Sequence, residues 1–316
     1  GPMQVRNFIW YVLNKPLPAA DKMSELLAKK AFEPCMSQQQ ISQGWVAPLH
    51  HGEWVYEAHG AQLLMLKQER RLLPASVVNE YLQTKIEEFE AAEGYAPSRK
   101  IRQQMKEDLT LELLPKAFTK TSKIPILIFP RQGWLFVLSS SVKSADDSTA
   151  LLRETLGSLP ISLTNTDVSP SHMMTRWLSH PGELPEEWSL GEEVELQEPE
   201  AGVVKVRNQD LLAEEITVHL DAGKFASKLA LIWREDISLM LEEDLGVKRI
   251  KLLLEDDDAP SSSDPQEAKF AHEFAVSCNW MVPMCQSLLK ALGGLEKALA
   301  ASQSRAFDGV ENSAPQ

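Results

Sequence analysis

"SRKIRQQMKEDLTLELLPKAFTKTSKIPILIFPRQGWLFVLSS", residues 98–140, changes its hydrophobic period partway along. Ile101, Met105 and Leu109 recur at helical spacing, whereas IPILIFP and WLFVLSS are two apolar runs around Arg131-Gln132-Gly133. The pattern predicts a helix from Arg99 to about Leu114, with Ser98 as N-cap and Pro115 as stop, followed by a β-hairpin. Upstream, Val77, Val78, Tyr81, Leu82, Ile86 and Phe89 mark one face of a helix over Ala75–Glu93 that Gly94 ends. The two helices are expected to form an antiparallel hairpin that projects from the sheet.

Working outward, VRNFIWYVL (5–13) reads as a strand, Pro18–Lys30 as an amphipathic helix, and AQLLMLKQER (61–70) as a strand that stops before Leu73-Pro74. Beyond the β-hairpin, Ala145–Leu156 reads as a helix closed by Gly157. Glu183–Glu200 carries eight glutamates and no Lys or Arg, which reads as a solvated acidic loop or edge. A short helix at 210–221 precedes a three-strand meander, KLALIW, ISLML and KRIKLLL, and EDDDAPSSSDP reads as a connector. Ala268–Ala301 is expected to be helical, with an extended insert near Val276–Pro283.

The fold class is therefore α+β: mixed antiparallel sheets with packed helices and a projecting helical hairpin. Its expected regions are a central α/β region (3–74 and 124–167), the hairpin with a basic arm (75–123), and a connecting region with an acidic loop (168–222). A C-terminal β-meander with helices (223–302) and a disordered tail (303–316) follow. Gly1-Pro2 reads as the scar of a cleaved tag, and no export signal follows it.

Composition narrows the function classes. Cys35, Cys278 and Cys285 are an odd set without a CxxC pair, which suits a reduced, intracellular compartment. Apolar runs fall far short of the roughly 20 residues that cross a bilayer, so no membrane partner is expected. No GxSxG, GxxxxGK[ST], HExxH or GxGxxG motif is present, so no catalytic residue and no cofactor is assigned. His50, His51 and His59 with Glu53 and Glu57 form a His/acid cluster, but in a Pro- and Gly-flanked loop without convergent ligand spacing. Cys278 and Cys285 read as buried structural thiols.

Charge is the informative feature. Residues 98–123 hold seven Lys/Arg and three acids in a chain of net charge −13, so removing their +4 leaves −17 on the rest. On an ideal helix Arg99, Arg102 and Lys106 fall within about 60° of one another, beside the apolar stripe. Lys116, Lys120 and Lys123 continue the positive charge, interleaved with Phe118, Thr119, Thr121 and Ser122, residue types that suit phosphate contacts. Spacing alone favours an ordinary solvated face, and it also fits an apolar and basic surface that docks an acidic protein; the segregation of the charge is what points to phosphate.

Several motifs in the same order converge on one family. AFEPC (31–35), GWVAP (44–48), LLPKAF (113–118), LLRETLGSLP (151–160) and NQDLLAEEITVHLDAGK…SKLAL (208–231) resemble the bacterial RdgC family of recombination-associated proteins, over nearly the whole span from Met3 to about Leu295. The resemblance implies a non-enzymatic protein that binds duplex DNA, and possibly single strands, with little sequence preference. It further implies a homodimeric ring around the duplex and restraint of the RecA recombinase, directly or by competition for DNA, in the cytoplasm at the nucleoid. Arg99, Arg102 and Lys106 match a basic stretch of the family and Lys116 a basic position of LLP-[KR]-AF. Phe118, which ends that motif, would help close the ring at a subunit contact. Lys205, Arg207 and Gln209 match a second DNA-contacting group. Asn208 departs from the pattern, standing where a basic residue can stand.

Overall fold

The computed structural model describes residues 3–50, 52–200, 202–254, 259–261 and 264–313. The N-terminal half contributes β1 (Ile9–Leu13), α1 (Ala20–Ala28), β2 (Ile41–Val46), β3 (Tyr56–Ala58), β4 (Ala61–Arg71), α2 (Ala75–Glu93), α3 (Arg99–Leu113), β5 (Thr119–Phe129), β6 (Trp134–Val137), α4 (Val142–Leu156) and β7 (Ile161–Leu163). There follow α5 (Pro170–Ser179), β8 (Trp188–Gln197), β9 (Val203–Arg207), α6 (Glu214–Asp221), β10 (Phe225–Trp233), β11 (Ile237–Glu242), β12 (Val247–Leu252), α7 (Gln266–Ala291) and α8 (Lys297–Ser313).

Two antiparallel sheets result. One has seven strands in the order β2-β4-β5-β6-β1-β7, with β3 also pairing with β4; the other has five, β12-β11-β10-β8-β9. The seven-stranded sheet is apolar on both faces. Leu64, Leu66, Ile126 and Leu135 meet α1 and α4 through Met23, Leu27, Leu151 and Leu152. On the opposite face Trp10, Leu63, Leu127 and Phe136 share a core with Leu229 and Leu231 of the second sheet and with Phe274 and Met281 of α7. This double burial is why IPILIF is a continuous apolar run and not an alternating one.

Local chemistry sets the ends of the elements. The Ser98 hydroxyl accepts the Ile101 N–H at 3.2 Å, and Gly94 closes α2 with a left-handed backbone at φ 81°. α2 and α3 pack against each other, with Phe89 edge-on to Tyr95. Gly44 permits a different contact: a Cβ there would lie 2.4 Å from the Phe32 backbone, and Phe32 N–H donates to Trp45 C=O at 2.9 Å. AFEPC and GWVAP are thus adjoining backbones.

Three expectations fail. The acidic stretch is not a loop, because β8 is an interior strand flanked by β9 and β10. Its glutamates alternate with the buried Val194 and Leu196, and Glu193 and Glu195 are neutralised by cations on other strands, which local composition cannot reveal. Val276–Pro283 is not extended either. α7 runs through Pro283, held by buried Phe274, Cys278, Met281, Met284, Cys285 and Leu288 on both sides of the proline. Finally, residues 303–313, read as disordered, continue α8, in which Gln303 Nε2 donates to the carbonyls of Gln132 and Gly133 at 3.0 and 2.9 Å. Residues 314–316, 255–258 and 262–263 lie outside the described residues.

A polar clamp joins α7 to the second sheet. Glu187 accepts from Ser287 Oγ at 2.7 Å and from Arg234 Nη2 at 2.8 Å, and Trp188 Nε1 donates to Ser287 at 2.9 Å. The Ser287 hydrogen bond and then Arg234 lower the Glu187 pKa. A depressed folded-state pKa stabilises above the unfolded value and is lost as pH falls through the folded one. Urea titrations at decreasing pH should therefore show stability falling below the ordinary glutamate range, with part of that fall absent in Glu187→Gln, which is already weaker at neutral pH.

Candidate nucleic-acid interface

The basic segment occupies three consecutive pieces of structure: α3, a single 3-10 turn over Leu114–Lys116, and the first half of β5. Arg99, Lys100, Arg102, Lys106, Lys116, Lys120 and Lys123 are all exposed. Leu109 and Leu114 are buried, but of the rest of the apolar stripe Met105 is half-buried and Ile101 exposed, so the stripe packs only at the C-terminal end of α3. Phe118 is 85% exposed, an unusual position for an aromatic ring.

Their ion pairing separates these cations from the rest of the molecule. No ion pair among the described residues involves any of the seven. Two of the three acids of α3 bond amides instead: Glu107 accepts from Gln103 and Asp108 from Gln104. Arg102 folds back to donate to the Pro97 carbonyl at 3.2 Å and keeps its charge. Helix electrostatics run against this arrangement, since α3 has no acid in its first turn and no base in its last. Cations at a helix N-terminus oppose the macrodipole, each at a cost of about 0.3–1 kcal/mol. Helix stability therefore does not account for the charge order.

The second predicted group stands in a different environment. Lys205 and Arg207 lie on β9, where Lys205 pairs with Glu195 at 3.7 Å and Arg207 with Glu193 at 2.8 Å. Arg249 also pairs with Glu193, and Lys228 with both Glu195 and Glu242, so these cations belong to a charge lattice across the sheet. Gln209 is exposed and its N–H bonds Glu192 C=O at 3.3 Å. Between them Asn208 has φ 54°, a left-handed conformation that Asn tolerates better than a long basic side chain.

Sequence reasoning missed Lys67, Arg70 and Arg71, which strand pairing brings opposite the basic segment. Lys67 stands across from Lys123, Arg70 from Lys120, and Arg71 from Thr119. Cross-strand register was the missing signal. Arg71 donates to the carbonyls of Ala117, Cys35 and Met36 and so anchors LLPKAF to AFEPC.

The other candidate sites do not assemble. Among the described residues, no group of three or more His, Cys, Asp or Glu is placed to hold a metal ion; His51 lies outside them. No helix of the described residues is long and apolar enough to cross a membrane.

The comparisons agree over the same span. A family model described as "Putative exonuclease, RdgC" matches residues 3–295. The chain belongs to the RdgC family. A Tolumonas auensis protein is 37% identical, with 94% of this chain and 100% of the relative covered. Proteins of Proteus mirabilis and Pseudomonas fluorescens are 35% and 33% identical, covering 92% and 93% of this chain and 98% of each relative. All three relatives bear the name "Recombination-associated protein RdgC". The family description thus names an exonuclease, while these RdgC relatives carry no enzymatic name.

The cysteines differ in environment. Burial raises the Cys278 thiol to about 12 and Cys285 well above its ordinary value, while Cys35 is only half-buried. An aromatic disulfide reagent at pH 8 should titrate no more than one thiol, Cys35, in the native protein and three in urea. Rapid native labelling of a Cys35→Ser variant would contradict the buried placement of the other two.

Proposed function

We propose that this protein binds duplex DNA without sequence preference, as a homodimeric ring that encloses the duplex. One observation carries the reading: in a chain of net charge −13, the seven cations of residues 98–123 are all exposed and none has an ion-pair partner among the described residues. Arg99, Arg102, Lys106, Lys116, Lys120 and Lys123 would contact phosphates, which position a protein on DNA without reading its sequence. Lys205, Arg207 and Gln209 would form a weaker second contact, because their cations share charge with Glu195 and Glu193. Phe118 would close the ring against its counterpart, an economical use for so exposed a ring.

Family membership supports the biological setting. The relatives' name links them to recombination, and occupancy of duplex DNA at the nucleoid would restrain RecA by competition. The proposed action is binding alone, with no cofactor and no catalytic step.

A second reading has its own observation. Tyr81 of α2 and Leu111 of α3 are 53% and 47% exposed, apolar surface of the kind that an acidic protein partner docking on the helical pair would cover. Capture of a defined partner that survives nuclease treatment, in a protein with no DNA affinity, would favour it.

The deciding measurement is anisotropy of a labelled duplex between 50 and 200 mM salt. Six phosphate contacts predict a log–log slope of about −5 and an affinity loss on the order of a thousandfold for each chain engaged, hence a slope of about −11 where both chains of the dimer contact the duplex. Charge reversal at Arg102, Lys106 and Lys116 should weaken all sequences alike. Absent binding at low salt, or a flat salt profile, ends this reading. Sedimentation of Phe118→Ala against wild type checks its place in the dimer.

A further inference from the structure

We infer that the polyanion contact extends onto the outer end of the β4–β5 ribbon, where Lys67 and Arg70 of β4 act together with Lys123 and Lys120 of β5. The inference rests on the DNA-binding reading and adds to it two residues outside the basic segment, on another strand.

The first argument is a cross-strand conflict. Lys67 lies directly opposite Lys123 and Arg70 directly opposite Lys120, so two like-charged pairs occur three residues apart on one ribbon. Opposed like charges destabilise an antiparallel pair, whereas opposite charges or Thr pairs would stabilise it. The polar pairs around them, Gln68 with Ser122 and Glu69 with Thr121, carry no such conflict. The repeated repulsion is relieved when a polyanion lies across it.

The second argument is neutralisation, or its lack. Lys67 holds its ammonium 4.7 Å from the centre of the Phe32 ring, a contact that positions a cation without cancelling its charge. Arg70 reaches Asp147 at 3.8 Å, but Lys143 shares that carboxylate at 3.3 Å. Lys120 and Lys123 have no ion pair among the described residues. Period-two alternation places Lys67 and Lys123 on one face and Arg70 and Lys120 on the other. The positive charge therefore surrounds the ribbon end.

The third argument is the open edge. β6 pairs with β5 only from Ile126 to Phe129. Among the described residues Thr119–Ile124 has no backbone partner on the side away from β4, and Thr119–Lys123 is exposed throughout. Unpaired strand N–H groups beside Lys120 and Lys123 are donors to phosphate oxygens. Edge lysines also serve as guards against strand-to-strand aggregation, and that role needs no nucleic acid.

The test compares wild type, Lys67→Gln/Arg70→Gln and Arg99→Gln/Arg102→Gln on the same duplex over the same salt series. Removing the two β4 charges should reduce the magnitude of the log–log slope by about 1.8. Lys67→Met retains the aliphatic stem against Phe32; it should reduce the slope by about 0.9 and covers the case in which the double variant does not fold. Binding by wild type that the α3 variant weakens, with an unchanged slope in both β4 variants, overturns this inference and leaves the broader reading standing. Failure of wild type to bind any duplex removes both. Light scattering of Lys120→Gln/Lys123→Gln addresses the guard role of the open β5 edge: aggregation of this variant with the wild-type slope retained also overturns the phosphate assignment.

Discussion

Pairing of β4 with β5 is the constraint on which the molecule depends. Ten consecutive residue pairs run from Gln62–Ile128 to Arg71–Thr119. Their inner half is buried on both faces between two cores, so register is held by apolar packing twice over. Between the strands the chain inserts α2, α3 and LLPKAF, and Leu72 N–H closes the neck of that insertion on Phe118 C=O at 2.7 Å. The ribbon thereby fixes where the basic segment emerges. Arg71 tightens the junction by donating to carbonyls on both sides of it.

Charge is partitioned along the same division. On the five-stranded sheet Lys205, Arg207, Lys228, Lys248 and Arg249 all face Glu193, Glu195 or Glu242. Glu193, Glu195 and Glu242 are largely buried, so the cations satisfy carboxylates that would be costly to bury alone and thereby specify the strand neighbours. Around the ribbon end and α3, cations stand against one another or against a helix N-terminus. Solvation by water makes this arrangement tolerable, and a polyanion would make it favourable. The two regions thus use the same residue types for opposite purposes.

What could be read from sequence follows how local each signal is. Ser98, Gly94, Gly133 and Gly157 announce their helix ends and turn because capping and positive φ depend on a few neighbouring residues. The meander of β10 to β12 was equally plain from short apolar runs. β8 was missed because its glutamates look solvated until the cations of β9, β10 and β12 are placed beside them. α7 was misjudged at Pro283, where tertiary packing of a largely buried helix outweighs the loss of one backbone hydrogen bond. For the candidate site, the cations of residues 98–123 were visible as composition, whereas Lys67 and Arg70 belong to it only through cross-strand register. The neutralisation of Lys205 and Arg207 by Glu195 and Glu193 was likewise hidden in strand order.

An acidic total does not weigh against a basic surface of this kind, and the reason is one of length scale. At physiological ionic strength fields decay over about 8 Å, so an acid two or three such lengths away scarcely alters the potential at Lys116 or Lys123. The glutamates of β8 are further muted by their own partners, which leave little net field to project. The rest of the surface carries, on average, the negative balance of a chain with net charge −13, which disfavours a polyanion there. Under the proposed reading, negative charge elsewhere would act as an orienting device that lowers the number of unproductive encounters.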